Sequence, residues 1–218
     1  MWNKIFLNTE KDSPFILFSQ KLLNLRLDNL SFDLFDISHS LDTIKLNKLQ
    51  QLFLKDLIAI FPDWKKIIAK KQHQTHHFTL DIHTLLVINY LKKSNDFLKL
   101  DNYNKLLLLY CGLMHDIEKN EGEVDHMHAE KSAAKARTMF KSNEFKHEFT
   151  EECCFLIENH QLIGRVAGNN LKSDEFFQNI DKNKLALLKI FTFADLKAVQ
   201  RNQEFFVKNL NKFLNLKI

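Results

Sequence analysis

Apolar positions recur at three- and four-residue spacing through most of this chain, which predicts helices rather than strands. Phe15 to Leu27 (FILFSQKLLNLRL) fits an amphipathic helix. Lys45 to Phe61 fits another, stopped by Pro62, which cannot continue a helical hydrogen-bond ladder. Asp63 to Lys71 reads as a short basic turn of helix. Thr79 to Lys93 reads as a strong helix with Leu80, Leu85, Val87, Ile88 and Leu91 apolar. Asn102 to Asp116 is apolar almost all round, the mark of a central buried helix. Residues 118–126 (EKNEGEVDH) form the first truly polar loop. A small-residue helix, His128 to Lys141, follows, able to pack closely on a neighbour. Glu148 to His160 is predicted as another helix, and Asn183 to Leu214 as one long helix or two. The alternation of apolar and acidic residues from Asp28 to Leu41 resists assignment, and no internal repeat is present.

Composition supports an all-α fold. Only 4 Gly and 2 Pro occur in 218 residues, too few turn residues for a β-sandwich or a doubly wound sheet. With 45% hydrophobic residues the chain can build a sizeable core. The expected organisation is a single helical domain over residues 46–218 and an N-terminal helical arm over residues 1–45. The arm carries no evident chemistry, and its His39 reads as a surface or capping residue.

The formal net charge is +4 and the pI near 8.8, but the basic residues are mostly scattered lysines. That describes a solvated surface better than a nucleic-acid face, so nucleic acid stays an open partner. Cys111, Cys153 and Cys154 are odd in number and lie in apolar stretches, so no disulfide framework is implied and a reducing compartment is expected. The first residues lack the continuous apolar core of a signal peptide. No apolar run approaches the ~18–20 residues needed to span a bilayer. A cytoplasmic protein without a membrane partner is expected.

The chemistry is concentrated at His115-Asp116, which end the apolar run LYCGLMHD. A hydrophobic helix has little structural reason to end in two adjacent metal-binding side chains. His83 lies upstream, and His126, His128, His160 and Asp195 downstream. A lone helical histidine such as His83 is more often a satisfied core residue than a ligand. Of His126 and His128, spaced to suit a loop or helix start, His128 is the preferred candidate because it directly precedes the small-residue run. Asp195 stands among Phe191, Phe193, Ala194 and Leu196, where an unpaired carboxylate would be costly. Lys119 admits two readings, a cation that holds a phosphate oxygen beside a metal and a solvated helix-end cation.

Imidazole and carboxylate donors suit one or two divalent ions of the Mn, Fe, Zn, Ni or Mg kind. His83, His115, Asp116 and Asp195 supply enough donors for one ion, and His128 and His160 enough for a second. A metal-bound water near neutral pH would attack a phosphate ester, with Asp116 and Lys119 the catalytic candidates and Lys119 also contacting substrate.

The order His83, His115-Asp116, His128, His160, Asp195 resembles the HD superfamily of metal-dependent phosphohydrolases. The segments FPDWKKIIAKKQHQTHHFTLDIHTLLV, LMHDIEK, DHMHAEKSA, LIENH and FTFADLKAV are similar to the HD domain of bacterial uridylyltransferase/uridylyl-removing enzymes. They are similar, more distantly, to the HD region of bacterial tRNA nucleotidyltransferases. The resemblance covers roughly Leu46 to Leu214 and implies an all-helical fold, with the His-Asp doublet and the final Asp on metal and the later histidines completing the site. Such proteins often carry Gly or Ala where Glu118 stands and Gly where Ser132 stands. Glu118 therefore puts an extra acid beside the site. The expected function is hydrolysis of a phosphate ester or diester of a nucleotide or nucleotidylated group, with a small phosphorylated or nucleotide substrate as partner. The competing readings are a catalytically weak regulatory module and an RNA-associated factor.

Overall fold

Short polar side chains decide where the helices begin. Asn47 and Gln50 form a reciprocal capping box: each side-chain oxygen accepts from the other's backbone N–H at 3.0 Å. Helix α3 therefore runs Lys48–Ile60 rather than starting at Lys45. Asp101 caps the Asn104 N–H at 2.8 Å and opens helix α6, Asn102–Met114. Pro14 occupies the first turn of helix α2, Pro14–Asn24, where its missing N–H costs nothing.

The computed structural model describes residues 1–27, 40, 41, 44, 46–74, 76, 78–162 and 180–199. Among these the order is α1 (Trp2–Ile5), α2 (Pro14–Asn24), α3, a 3₁₀ turn (Pro62–Ile67), α4 (Leu80–Lys93), α5 (Asn95–Lys99), α6 (Asn102–Met114), α7 (His128–Ser142), α8 (His147–Asn159) and α9 (Lys182–Val199). No β-sheet occurs among them, only an isolated antiparallel bridge between Phe6 and Phe145. The fold is all-α.

Several boundaries differ from the sequence pattern. The basic turn expected at Asp63–Lys71 is a 3₁₀ segment that starts at Pro62 and stops at Ile67. Helix α5 has five residues, too few to show a period. Helix α6 stops at Met114, so His115 and Asp116 stand in the turn just beyond it. His39, most of the Asp28–Leu41 stretch, and residues 200–214 of the expected final helix lie outside the described residues.

Helix α6 is buried from Leu106 to Met114 and packs against α2, α4, α8 and α9, while α7 packs along α8. Gly112 marks the close approach of α6 to α4. A Cβ there would meet Ile88 Cγ1 at 3.3 Å. On the other side Tyr110 anchors an aromatic cluster with Phe18, Phe61, Phe140, Phe145 and Phe149, their ring centroids 5.1–6.2 Å from its own. Its hydroxyl lies 2.8 Å from Ser19 Oγ of α2. Ile5, Phe6, Phe18 and Leu22 of the N-terminal segment thus share one core with the later helices.

Two polar anchors position the elements near the chemistry. Trp64 Nε1 donates to the Leu113 carbonyl at 3.0 Å, satisfying a C=O left open at the end of α6. Asp81, fully buried, accepts from Leu41 N at 2.8 Å and Ala69 N at 3.2 Å, tying the approach to α4. Cys111, Cys153 and Cys154 are buried free thiols. No described helix is long and apolar enough to cross a membrane.

Candidate metal centre

Four helix ends meet at one place. His83 comes from the first turn of α4, His115 and Asp116 follow α6, His128 opens α7, and His160 ends α8. Asp195 projects from α9. Helix termini leave backbone carbonyls and N–H groups unpaired, and the histidines use them. His115 Nδ1–H donates to the Gly112 carbonyl at 3.0 Å and His160 Nδ1–H to the Ile157 carbonyl at 2.6 Å. His128 Nδ1–H donates to the Asp125 carbonyl. In each ring Nδ1 is engaged three residues back, which turns Nε2 toward the common centre.

The donor atoms form two groups that share Asp116. In the first, His83 Nε2 and His115 Nε2 are 3.3 Å apart, and Asp116 Oδ2 lies 3.8 and 3.6 Å from them. Asp195 Oδ1 joins at 3.0 and 3.5 Å from the same two nitrogens. In the second, Asp116 Oδ1 lies 3.0 Å from His128 Nε2 and 3.7 Å from His160 Nε2. Bonds of about 2.1 Å to one ion put neighbouring donors about 3.0 Å apart in octahedral and about 3.4 Å apart in tetrahedral geometry. The observed separations suit such a centre. Asp116 Oδ1 and His83 Nδ1 are buried without a hydrogen-bond partner. Although Oδ1 is close to His128 Nε2, the two are not aligned as a hydrogen bond. The donor chemistry and the partnerless Asp116 Oδ1 fit a divalent cation, and either group could hold one; His83 Nδ1 is on the ring side away from the centre.

The electrostatics set the charge state of the metal-free pocket. Burial opposes ionisation of Asp116, but Lys119, His115 and His128 outweigh it and hold the carboxyl well below its ordinary range. Asp195 is likewise held low against burial by His115 and His83. Burial works against a charge on His115 and His128 too, yet Asp116 keeps both above the usual imidazole value, aided at His115 by Asp195. His160 is pushed down to about 4, chiefly by burial.

All six sequence candidates are brought together. His128, not His126, faces the centre: His126 is exposed and His128 is buried. Lys119 is also buried, which excludes the solvated-cation reading. Its Nζ donates to Asp116 Oδ2 at 2.8 Å and to His76 Nε2 at 3.3 Å. His76 is not among the sequence candidates. The crowding of histidines in QHQTHHFTLDIH is its signal. Burial, with Lys119 adding to it, lowers His76 to about 3. Gln161, whose amide lies 3.2 Å from His128 Nε2, carries no signal in the sequence. Ser132 is fully buried and accepts the Glu118 N–H at 3.2 Å, so these two positions jointly shape the turn that carries Asp116. The Glu118 charge acts on Lys66.

An all-helical domain with buried His/Asp groups at converging helix ends defines a class. The chain belongs to the HD domain family, whose pattern it matches over residues 80–196. It is similar to the bifunctional uridylyltransferase/uridylyl-removing enzymes of Stutzerimonas stutzeri and Pseudomonas aeruginosa, 30% identical over 155 residues, covering 63% of this chain and 17% of theirs. The enzyme of that name from Bordetella avium is 28% identical over 173 residues, 70% of this chain and 20% of the relative. The similarity thus spans only about a fifth of these relatives' length.

Proposed function

We propose that this chain is a metal-dependent phosphohydrolase that cleaves a phosphate ester or phosphodiester of a nucleotide or a nucleotidylated group. The observation that supports it most is Asp116, whose two oxygens face two separate sets of imidazoles. In this reading His83, His115, Asp116 Oδ2 and Asp195 hold one divalent ion, and Asp116 Oδ1, His128 and His160 hold a second. Such an ion supplies an activated water and draws charge from a phosphoryl oxygen. The residues do the rest. Asp195 is the more exposed of the two carboxylates at the centre, 17% against 3% for Asp116. Lys119 Nζ directs two donors at Asp116 and His76 and turns a third to a phosphate oxygen. The Nδ1-to-carbonyl bonds of His115, His128 and His160 fix their tautomers, so that each Nε2 keeps its lone pair for the ion. The uridylyl-removing activity in the relatives' name favours a nucleotidylated substrate. The buried free thiols suit a reducing cytoplasm.

The test is metal content of protein purified without chelator, together with release of p-nitrophenol from bis-p-nitrophenyl phosphate in Mn²⁺. Bound metal with turnover supports the proposal. Bound metal without turnover on this or any nucleotide identifies a binding module on the same fold. Protein that stays metal-free in Mn²⁺, Fe²⁺, Zn²⁺ and Ni²⁺ overturns the ligand assignment.

A further inference from the structure

The two donor groups at the centre are unequal. The first has His83, His115, Asp116 Oδ2 and Asp195; the second has only Asp116 Oδ1, His128 and His160. Divalent ions of the kind that imidazole and carboxylate bind take about four to six ligands. The second group therefore supplies one protein donor fewer than the first.

Gln161 stands beside this smaller group. It follows His160 in the turn that ends α8, is half-buried, and places its amide nitrogen 3.2 Å from His128 Nε2. His128 Nδ1 is already engaged by the Asp125 carbonyl, so the Gln161 amide meets the ring nitrogen that faces the centre. An N–H can meet that nitrogen only in its unprotonated form, and the same lone pair is what an ion requires. Gln161 thus holds a place that ion binding must rearrange.

The amide can withdraw or it can turn. Turning needs only rotation about the terminal Cγ–Cδ bond, a torsion that is broad and roughly two-fold. A half-turn exchanges the amide nitrogen and oxygen, which are so alike in shape that density at ordinary resolution does not tell them apart. Oε1 then takes the place the nitrogen holds, 3.2 Å from His128 Nε2. That matches the separation of about 3.0–3.4 Å between donors that lie about 2.1 Å from one ion. Withdrawal would leave the ion with three protein donors. We propose that Gln161 is a ligand of the second ion, exchanging its hydrogen bond to His128 for a bond from Oε1 to the metal. The inference rests on the ligand assignment made above for His128 and His160. A carbonyl oxygen added to one carboxylate oxygen and two imidazoles inclines the second group toward Mn²⁺.

A glutamine that only holds the imidazole would have the opposite effect on binding. Its hydrogen bond competes with the ion for Nε2, so removing it would ease binding. The experiment is calorimetric titration of the chelator-stripped full chain with Mn²⁺, with circular dichroism to check that each variant folds. Wild type should show two binding steps, of which His160→Gln identifies the second by weakening it. Gln161→Leu should weaken that same step at least about tenfold, the lower end of what partners of metal ligands contribute. Gln161→Glu, which keeps an oxygen donor at the same reach, should restore it. An unchanged or tighter second step in Gln161→Leu, or no recovery in Gln161→Glu, overturns the proposal and leaves the metal centre standing. A wild type with no step sensitive to His160→Gln overturns the second ion itself, and the proposal with it.

Discussion

Asp116→Asn is the most searching perturbation. The substitution keeps shape and one carbonyl oxygen but removes a charge that faces Lys119 Nζ at 2.8 Å, His128 Nε2 at 3.0 Å and His115 Nε2 at 3.6 Å. One donor group keeps a neutral amide oxygen in place of a carboxylate oxygen and the other loses its Asp116 donor, so with the amide nitrogen on the second group's side that group falls from three members to two. Metal retention should fail first in the His128–His160 group. Diesterase activity should drop about 10²- to 10⁴-fold, because the attacking water is no longer activated or held. Stability responds as well. Asp116 and Lys119 side chains are only 3% and 8% exposed, so deleting one partner leaves a buried cation behind. Such losses cost about 3–5 kcal/mol, and His76 Nε2, 3.3 Å from Lys119, should keep this case near the lower end. For a chain of this size about 3 kcal/mol lowers Tm by roughly 6–12 °C. Metal content after dialysis, bis-p-nitrophenyl phosphate turnover and thermal melting of metal-free protein read the three effects separately. A variant with full metal, full turnover and an unchanged melt would refute the reasoning.

Gly112→Leu should destabilise by about 1–3 kcal/mol through overpacking against Ile88, Leu91 and Val87, and should weaken metal binding by parting His83 from His115; a melt equal to wild type contradicts the close crossing. Metal binding should release protons. His115 and His128 are held above the ordinary imidazole value, so they lose their protons on ligation and apparent affinity rises as pH climbs through neutrality. Calorimetric heats that do not change between buffers of different ionisation enthalpy rule this out. In metal-free protein His160 takes up its proton only near pH 4, whereas an unfolded imidazole does so near 6.5. Stability should therefore fall as pH drops from about 6.5 to 4, and His160→Gln should flatten that slope in acid melts. Asp81→Ala leaves the N–H groups of Leu41 and Ala69 without their acceptor, costing about 1–3 kcal/mol each; unchanged metal content in the folded variant separates it from Asp116.

Much of this arrangement is legible in the sequence because the donors sit at helix ends. Apolar periodicity places the helices, and a polar doublet at the end of the apolar run 106–114 is visible without knowing its neighbours. His128 and His160 follow from the same logic at the ends of later helices, whereas His83 lies in the first turn of the earlier α4 and Asp195 within α9, where a charge among phenylalanines marks it. Long-range pairing is not legible. The engagement of Trp64 with Leu113, the closeness of His76 to Lys119, and Gln161 beside His128 join residues 33–49 positions apart, and local pattern has no access to that. Helix α5 escapes because five residues do not complete two turns of a period.

The buried carboxylates show where sequence reasoning stops. Asp195 stands out in the sequence because a charge among phenylalanines is costly unless paired. The same argument applies to Asp81, two residues before His83 and more deeply buried, yet no apolar cluster of that kind flags it. The two solve the same desolvation problem differently. Asp81 accepts two backbone N–H groups through Oδ2 and fixes the entry to α4, while its Oδ1 is buried without a hydrogen-bond partner. Asp195 meets two imidazole nitrogens that are themselves only 3.3 Å apart. Two imidazoles that close cannot both carry protons toward one another at little cost, so this arrangement suits a cation. Burial alone therefore does not separate a structural carboxylate from a functional one. The partners do: two backbone N–H groups meet one oxygen of Asp81 and no imidazole faces it, whereas the imidazole nitrogens that converge on Asp195 and Asp116 leave a place for an ion.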